Sequence, residues 1–386
     1  MRGSPAARPP LRIYCKCRKF MLVPAEHRGK RIKCKNCGRE LRVNTAARLP
    51  PRLGALLTVL SLAYLATILV LTIVMWRLGD VWAPATVLLF ISRWEFLLPL
   101  VVLLPAALVF RVTLTAPLAL AALVGIGPLM GFRSGWHRLL SHPAGMHVRI
   151  LTYNVDGGDA VAPRLADFLA DAHPDFVAIQ ECGPALVEQL RRMPGWFHHD
   201  VRQLCFLSRY PLLDSVVMNR DALERLAESN ANIGGSGDVV RYAVKLPQAV
   251  INVTNLHLET PRKGLEGMFD QSYGAARLRD NTELRLVEAQ RARVHVDSGT
   301  APSLVAGDFN TPIESRIFQR AWGDLTDAFS RAGFGLGMTR YNGWIRVRID
   351  HVLSGEGWYV DHAEVGPDLG SDHVPLIVDL TLAPGK

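Results

Sequence analysis

The feature that most constrains this chain is the apolar segment LGALLTVLSLAYLATILVLTIVMW at residues 53–76. It carries no charged side chain in 24 residues. A helix of that length crosses a hydrocarbon core of roughly 30 Å. A buried helix of a soluble domain is the alternative, but this length disfavours it. The segment also lies too far from Met1, behind a basic stretch, to resemble a cleaved signal peptide. We therefore predict a membrane span.

More apolar runs follow the first one. They occupy residues 81–92, 96–110 and 112–132, and they are interrupted by Arg93, Glu95 and Arg111. The run at 96–110 is short for a span, and the one before it is also compatible with a helix lying in the membrane interface. We predict a transmembrane region at 53–132 with three helices, and two helices remain the alternative.

Charge is distributed unevenly along the chain. Residues 1–52 hold 15 Lys or Arg against 2 acidic residues, whereas residues 133–386 hold 26 against 31. The basic flank of the first span, which includes Arg39, Arg42, Arg48 and Arg52, predicts a cytoplasmic N-terminus for an integral membrane protein. Three spans would place the C-terminal domain outside the cytoplasm, and two would place it inside. The mildly acidic C-terminal part gives no bulk electrostatic argument for binding a polyanion.

The basic N-terminal segment contains two cysteine pairs. Cys15 and Cys17 are separated by one residue, and Cys34 and Cys37 by two. Such pairs on two turns suit a tetrahedral four-thiolate zinc site. So short a segment could not bury a core without a staple of this kind. We predict a zinc ribbon at about residues 12–43, with a disordered basic tail as the alternative.

After a predicted linker at 133–146, the sequence changes to short apolar runs separated by turns. HVRILTYNV, DFVAIQE, VVRYAVKL, AVINVTNLHL, SLVAGDFN, RIDHVLS and HVPLIVDL read as strands, and PRLADFLADA and DNTELRLVEAQRARVHV have helical spacing. The pattern predicts that residues 147–386 form a two-sheet α/β sandwich flanked by helices.

Polar residues terminate or interrupt many of these strands. In LVAGDFNTP, residues 304–312, a strand stops at Gly307, and the two-residue spacing aims Asp308 and Asn310 the same way if the backbone stays extended. The other such residues are Asn154, Glu181, His257, Asp350, Asp372 and His373. Charged groups beside apolar runs are costly unless they have a partner or a metal. Oxygen ligands with imidazoles nearby favour Mg²⁺ or Mn²⁺.

The motifs TYN, QE, NLHL, GDFN, RID and SDH, in that order over residues 147–382, resemble the endonuclease/exonuclease/phosphatase superfamily. The resemblance implies a deoxyribonuclease-I-like fold and a Mg²⁺-dependent or Mn²⁺-dependent phosphoric ester hydrolase. Its substrates would be nucleic acids, lipid head groups or sugar phosphates, cleaved as phosphodiesters or phosphomonoesters. No organic cofactor is expected.

The resemblance also implies a role for each matched residue. Glu181 would be a principal metal ligand, Asn154 would help to hold the metal or the phosphate, and Asp372 would complete the metal and water shell. His257 would donate a hydrogen bond to a phosphate oxygen. Asp308 would orient or deprotonate the attacking water, and Asn310 would fix Asp308 or the phosphate. His373 would act with Asp350 as a His–carboxylate pair, either as the general base or as a phosphate-binding imidazolium, so Asp308 and His373 are joint candidates for the base.

Two functions from different classes therefore remain. The first is a membrane-anchored, Mg²⁺-dependent phosphoesterase, nuclease-like or acting on lipid head groups, with the lipid bilayer as a partner. The second is a catalytically silent binding or scaffold protein that keeps the fold. The complete set of matched residues favours the enzyme.

Overall fold

The computed structural model describes residues 10–27, 29–43, 49–139, 144–224, 237–268, 274–343 and 345–384. Parts of the predicted basic segment and of the predicted linker, namely residues 1–9, 28, 44–48 and 140–143, lie outside the described residues. The chain divides into two compact units. One joins Met1–Leu65 with Pro99–Leu120, and the other joins Ala66–Leu98 with Ala121–Lys386.

The first unit begins with two small antiparallel hairpins. β1 (Leu11–Tyr14) pairs with β2 (Phe20–Val23), and β3 (Arg31–Lys33) pairs with β4 (Glu40–Arg42). Each hairpin turn carries one cysteine pair. Gly38 has a φ of +69°, the left-handed conformation that closes the second turn, and its N–H donates to the Cys34 carbonyl at 2.8 Å.

Apolar helices follow the hairpins. They are α1 (Pro51–Leu78), α2 (Ala83–Phe90), α3 (Leu98–Phe110) and α4 (Thr115–Val124), the last continued by a π-helical turn at Gly125–Leu129. Within the described residues, Pro51–Leu78 and Val112–Leu129 are each long and apolar enough to cross a bilayer. A third crossing is counted if Ala83–Phe90 and Trp94–Phe110, which meet at a 90° bend, form one broken span.

Contacts inside each unit locate the two ends of α1. In the first unit, Arg111 Nη1 donates to the Gly54 carbonyl at 3.1 Å and lies 2.6 Å from Thr58 Oγ1, so the end of α3 is beside the start of α1. In the second unit, Trp76 Nε1 donates to the Pro128 carbonyl at 2.9 Å. The end of α1 is therefore beside the π-helical turn.

Two six-stranded sheets form the centre of the second unit. The first has the order β10 (Leu212–Val217), β11 (Asp238–Lys245), β12 (Val250–His257), β13 (Ser303–Asp308), β18 (Asp350–Ser354) and β14 (Thr326–Asp327). The second has the order β19 (Trp358–Val365), β20 (Leu376–Leu382), β6 (Met146–Gly157), β7 (Phe176–Cys182), β9 (Leu204–Ser208) and β8 (Phe197–Val201). The pairs β12–β13 and β6–β7 are parallel, and the other pairs are antiparallel.

Helices and short strands complete this unit. The helices are α5 (Ala162–Ala172), α6 (Pro184–Arg191), α7 (Arg262–Met268), α8 (Gly274–Asp297), α9 (Arg316–Trp322) and α10 (Ala328–Ala332). The short strands are β5 (Arg133–Ser134), paired with β15 (Phe334–Gly335), and the hairpin of β16 (Arg340–Asn342) and β17 (Ile345–Val347).

Three apolar layers explain why the sheets pack as they do. The central layer joins the two sheets and contains the stacked rings of Phe206 and Tyr242, whose centroids are 4.3 Å apart. One outer layer packs α8 and α9 on the first sheet, and the other packs α5 and α6 on the second. The predicted two-sheet α/β sandwich is thus present as two mixed sheets with flanking helices.

The loop between α1 and α2 is part of the second unit and packs on the sandwich. The side chains of Asp80 and Arg285 are each 2% exposed, and Asp80 Oδ1 lies 3.5 Å from Arg285 Nη1. Ser315, the N-cap of α9, donates its hydroxyl to Asp80 Oδ2. Arg93 forms a second buried ion pair with Glu314 at 3.4 Å. Two charged residues from the apolar region are therefore buried against the start of α9.

Candidate active site

The register of the first sheet brings three of the predicted residues into one row. His257 at the end of β12 pairs with Asp308 at the end of β13, and Asp308 pairs with Asp350 at the start of β18. Because neighbouring strands lie about 4.8 Å apart, this register alone puts one imidazole and two carboxylates side by side. The second sheet contributes Asn154 from β6 and Glu181 from β7.

The carboxylate of Asp308 is the centre of the cluster. Its Oδ2 lies 3.1 Å from Asn154 Nδ2, 3.7 Å from His257 Nε2 and 3.8 Å from His373 Nε2. The side chain is only 1% exposed. Burial raises the pKa of Asp308, and the neighbouring charge of Asp350 raises it further. These nitrogen atoms supply the partners that a buried carboxylate requires.

His373 and Asp350 form a buried pair beside Asp308. His373 Nδ1 is 2.8 Å from Asp350 Oδ2, and both side chains are at most 3% exposed. Burial alone would lower the pKa of His373, but the charge and hydrogen bond of Asp350 outweigh it and raise that pKa to about 9. The Asp350 carboxylate fixes Nδ1 as the protonated nitrogen. His373 Nε2 is thereby left facing Asp308.

The backbone at the site departs from ordinary strand geometry at three non-glycine residues. Asp156, Glu181 and Asn310 have φ values of +47°, +58° and +50°. This left-handed region is costly for residues with a Cβ, and such strain clusters at functional sites. At Glu181 it turns the side chain out of the strand direction at the end of β7, where its Oε1 reaches 2.8 Å from Asn154 Nδ2 and 3.6 Å from His257 Nε2.

The prediction that Asp308 and Asn310 point the same way from an extended backbone is wrong. The backbone is not extended beyond Asp308, since Asn310 is left-handed, and its carboxamide Nδ2 donates to the Leu258 carbonyl at 2.8 Å. Its backbone N–H, rather than its side chain, reaches Asp308 Oδ1 at 2.8 Å. Asn310 is therefore placed to fix Asp308 through the main chain.

Gly307 also differs from the expectation that it ends the strand. It lies inside β13, which continues to Asp308, and its φ is +152°. A Cβ at this position would lie 1.9 Å from the Leu256 carbonyl oxygen on β12. The glycine is required because the two parallel strands approach closely just before the site.

The donor set fits a magnesium-type ion. Asn154 Nδ2 contacts a carboxylate oxygen of Glu181 and one of Asp308. One oxygen atom each from Asp308 and Asp350 and one ring nitrogen of His373 lie within 4.8 Å of one another. Within the part of the chain that the structure describes, Asp350 Oδ1 is a buried oxygen with no hydrogen-bond partner. Hard oxygen donors of this kind suit Mg²⁺ or Mn²⁺.

Two of the predicted metal ligands, Asn154 and Asp372, already have polar contacts within the protein. Asn154 turns its amide nitrogen toward the carboxylates, while its Oδ1 accepts a hydrogen bond from the Asp156 N–H at 3.1 Å. In this orientation Asn154 holds Glu181 and Asp308 in position. Asp372 lies at the rim with its side chain 37% exposed and pairs with Arg340 Nη2 at 3.2 Å.

Several residues that support the site were not identified from the sequence. Arg285 Nη2 donates to the Asn310 carbonyl at 3.1 Å and to Thr311 Oγ1 at 2.9 Å, which anchors the loop after Asp308. Thr339 Oγ1 accepts the N–H of Asp350 at 3.1 Å. Between the sheets, Gln180 Nε2 donates to Asn255 Oδ1 at 2.7 Å. The recognisable signal was a polar residue inside an apolar strand, as in AIQE and VTNLHL.

Ser371 and His351 have structural contacts. Ser371 Oγ donates to the Asn154 carbonyl at 2.9 Å and accepts from the His373 N–H at 3.1 Å, which closes the turn before His373. His351 points away from Asp350. Its Nδ1 is 2.9 Å from Asp327 Oδ2 and its Nε2 is 3.1 Å from the Thr311 carbonyl.

The four N-terminal cysteines form a second possible metal site. Cys15 Sγ is 3.5 Å from Cys37 Sγ, and Cys17 Sγ is 3.8 Å from Cys34 Sγ. A tetrahedral zinc site with Zn–S bonds of about 2.3 Å separates its sulfur atoms by about 3.8 Å. The four sulfur atoms lie within 4.8 Å of one another, so this cluster could hold zinc.

Comparisons with solved structures give similar chains at low identity. D. rerio TDP2 humanised by mutation is 17% identical over 61% of this chain and 99% of that one, with a TM-score of 0.48. D. rerio TDP2 complexed with a single-strand DNA product is 18% identical over 61% and 99%, with a TM-score of 0.46. An endonuclease/exonuclease/phosphatase from Beutenbergia cavernae is 20% identical over 61% and 72%, with a TM-score of 0.44.

None of the curated proteins matches the chain. The sequence of residues 151–373 matches the Endonuclease/Exonuclease/phosphatase family. That match spans more than half of the 386 residues and includes every residue of the cluster around Asp308. The chain therefore belongs to the Endonuclease/Exonuclease/phosphatase family.

Proposed function

We propose that the chain is a membrane-anchored, Mg²⁺-dependent hydrolase of phosphoric esters. The observation that carries the proposal is the convergence of Asn154, His257 and His373 on Asp308 Oδ2, at 3.1 to 3.8 Å. Hydrolysis of a phosphate ester needs an oriented water molecule and neutralisation of charge on the phosphate oxygens. Membership of the family supports the same class of reaction.

Glu181 and Asp372 would hold the metal ion beside Asp308, with Asn154 Nδ2 donating to the carboxylates of Glu181 and Asp308. When bound, Mg²⁺ would neutralise charge on the phosphate and polarise the scissile bond. Three carboxylates without a cation between them would repel one another, so the ion would also stabilise the arrangement.

The remaining residues would act on the substrate and the water. His257 Nε2, at the end of β12, would donate to a non-bridging phosphate oxygen. Asp308 would accept the proton of the attacking water. His373, whose pKa is raised to about 9, would bind the phosphate as an imidazolium at neutral pH and would act as a base only after Nε2 has lost its proton, with Asp350 Oδ2 held at 2.8 Å from Nδ1. The backbone N–H of Asn310 would keep Asp308 directed at the water.

Turnover of bis-p-nitrophenyl phosphate by the full-length protein in detergent tests this proposal. We expect hydrolysis with Mg²⁺, its loss with a chelator, and a decrease of at least about 10²-fold for Asp308→Asn. Asp324→Asn is the control, because that carboxylate is 67% exposed and pairs with Arg293 away from the cluster. Absence of turnover on nucleic-acid, lipid and sugar-phosphate esters as well would favour the silent scaffold.

For the membrane region we propose three crossings, a cytoplasmic N-terminus and an extracytoplasmic catalytic domain. The Arg111 contacts with Gly54 and Thr58 support a return of α3 to the side where α1 begins. The Trp76–Pro128 hydrogen bond supports a further crossing by α4 to the side where α1 ends. Reporter fusions at the C-terminus test this. A reporter active only in the cytoplasm would contradict three crossings.

We also propose that Cys15, Cys17, Cys34 and Cys37 bind Zn²⁺ in a ribbon at about residues 12–43. The sulfur separations of 3.5 and 3.8 Å support tetrahedral coordination. Metal analysis should find one zinc per chain in the wild type and none after Cys17→Ser with Cys34→Ser. Zinc retained by the double variant would contradict this site.

A further inference from the structure

A second cavity lies in the larger unit, outside the Asp308 cluster. Its volume is about 650 Å³, within the range of small-molecule sites in proteins. Its walls come from the bend before α3, the end of the last apolar segment, the loop between α10 and β16, the hairpin of β16 and β17, and β19. Neither the matched motifs nor the proposed reaction accounts for this cavity.

The apolar part of the wall belongs to the ends of the predicted membrane helices. Trp94 lies at the 90° bend that leads into α3, and Met130 directly follows the apolar segment Val112–Leu129. Across from them the chain contributes Phe334 and Met338. Trp94 is 45% exposed and Phe334 is 67% exposed, so large apolar surfaces are available there. Tryptophan at such a position is typical of the membrane–water interface.

The polar part of the wall is cationic. Arg138 is anchored by its Nε, which donates to the Ala332 carbonyl, and its Nη2 lies 3.4 Å from the Ala363 carbonyl. The exposed Arg346 lies over the ring of Tyr341, at 5.5 Å from the centroid. Among the described lining residues Glu364 is the one carboxylate, and Arg93 is already neutralised by Glu314. Guanidinium groups at the mouth of an apolar cavity suit a phosphate head group.

We propose that this cavity binds an anionic phospholipid from the bilayer. The head-group phosphate would interact with Arg138 and Arg346, and the acyl chains would follow Trp94, Met130 and Phe334 toward the membrane helices. Basic pockets beside membrane helices are known to bind anionic lipid head groups. A water-soluble phosphate would not contact the apolar wall, whereas the acyl chains of a lipid would cover it. The proposed ligand is therefore a lipid.

Strand β16 contacts both the cavity and the residues beside Asp308. Tyr341, in its wall, donates its backbone N–H to the Asp372 carbonyl at 2.7 Å, and the adjacent Arg340 pairs with the Asp372 side chain at 3.2 Å. Arg340 also forms a β-bridge with His373. A lipid in this cavity would therefore lie against the hairpin that borders the proposed active site.

Native mass spectrometry of the full-length protein in a neutral detergent tests the lipid site. Phosphatidylglycerol and phosphatidylcholine with identical acyl chains are added in equal amounts. We expect roughly ten times more protein with bound phosphatidylglycerol than with bound phosphatidylcholine. Arg346→Gln should remove most of that preference. Arg192→Gln changes an exposed arginine that caps the C-terminus of α6 and pairs with Glu188; it is the matched control and should retain the preference.

A second variant protects the test from misfolding effects. Met338→Trp fills the cavity without changing charge and should reduce retention of both lipids, with melting temperature and elution volume confirming the fold. Equal retention of the two lipids by the wild type, equal behaviour of Arg346→Gln and Arg192→Gln, or displacement of phosphatidylglycerol by millimolar inorganic phosphate would overturn the proposal.

The lipid site rests on the proposed membrane insertion. Membrane fractionation tests that insertion independently of lipid binding. A chain that fractionates as a soluble protein contradicts the anchoring. A chain that fractionates with membranes but shows no lipid preference overturns the lipid site alone.

Discussion

At the scale of single residues, the cluster is organised by what surrounds Asp308. Two imidazoles, one carboxamide and one backbone N–H approach its two oxygen atoms. Sequence reasoning identified the residue types, because a charged group at the end of an apolar strand needs a partner. It could not give the direction of the Asn154 amide or the left-handed backbone of Asn310, which depend on neighbours far away in the sequence.

Asp350 is predicted to act through His373. Replacement by Asn keeps the size of the side chain but removes the charge that fixes the imidazole at 2.8 Å. We expect turnover to fall by about 10² to 10⁴-fold, the usual contribution of a positioned acid or base. Steady-state kinetics with bis-p-nitrophenyl phosphate measures this, with Asp324→Asn as the control. A loss smaller than about twofold would remove Asp350 from the mechanism.

Glu288 on α8 gives a prediction for pH. Its carboxylate accepts the Glu259 N–H at 2.6 Å, and burial, together with the charge of Glu259, raises the pKa of Glu288 to about 8. A raised pKa means that the folded state favours the protonated form. The protonated Glu288 carboxyl therefore contributes fully to the free energy of unfolding below the unfolded pKa of about 4.3, and this contribution is lost as pH rises to about 8.

Melting temperatures of the full-length protein and Glu288→Gln test this between pH 5 and pH 8.5. Glutamine does not ionise, whereas Glu288 gains a buried negative charge as pH rises. The melting temperature of the wild type should therefore fall progressively relative to that of the variant. A difference that stays constant over this range would show that the Glu288 carboxyl is not perturbed by burial.

At the scale of elements, the long strands and helix α5 were predictable because their apolar periodicity is strong, and α8 was predictable from residues spaced three to four apart, such as Leu284, Val287 and Arg291. The short elements β8, β14 and β16 were not predicted. They carry little periodic signal and form only where a neighbouring strand or loop offers hydrogen bonds, as β14 does beside β18. The order of the strands within each sheet was likewise not predicted.

The apolar pattern predicted no role for the loop between α1 and α2, which contains the buried acid Asp80. Asp80 compensates Arg285, which in turn holds the carbonyl of Asn310 and the hydroxyl of Thr311. Burial lowers the pKa of Arg285, and Asp80 opposes that shift. A loop from the apolar region therefore stabilises the strand end that carries Asp308.

Asp80→Asn is predicted to destabilise the protein and to reduce turnover together. Removing one partner of a buried ion pair leaves an uncompensated charge, which costs roughly 3 to 5 kcal/mol. Glu188→Gln breaks the exposed pair with Arg192 and should cost less than about 1 kcal/mol. Thermal unfolding in detergent compares the two. Equal melting temperatures would show that the Asp80–Arg285 pair contributes nothing to the fold.

At the scale of the whole molecule, the chain combines a cysteine-containing N-terminal segment, apolar helices and a two-sheet sandwich that contains the family match. The family was predicted from the ordered motifs and the two-sheet architecture from the pattern of strands and helices, and both are confirmed. The number of spans, the side of the catalytic domain, the bound metals and the substrate stay predictions, because hydropathy and ligand spacing fix composition rather than orientation or occupancy.

The most direct test of the account is a Mg²⁺ titration of phosphodiester hydrolysis by the full-length protein, in the wild type and in Glu181→Gln. We predict saturable, chelator-reversible turnover in the wild type and at least about a tenfold higher half-saturating Mg²⁺ concentration in the variant, since one carboxylate ligand is lost. Turnover that is independent of Mg²⁺, or a variant with unchanged Mg²⁺ dependence, would contradict a metal centre at the convergence of these strand ends.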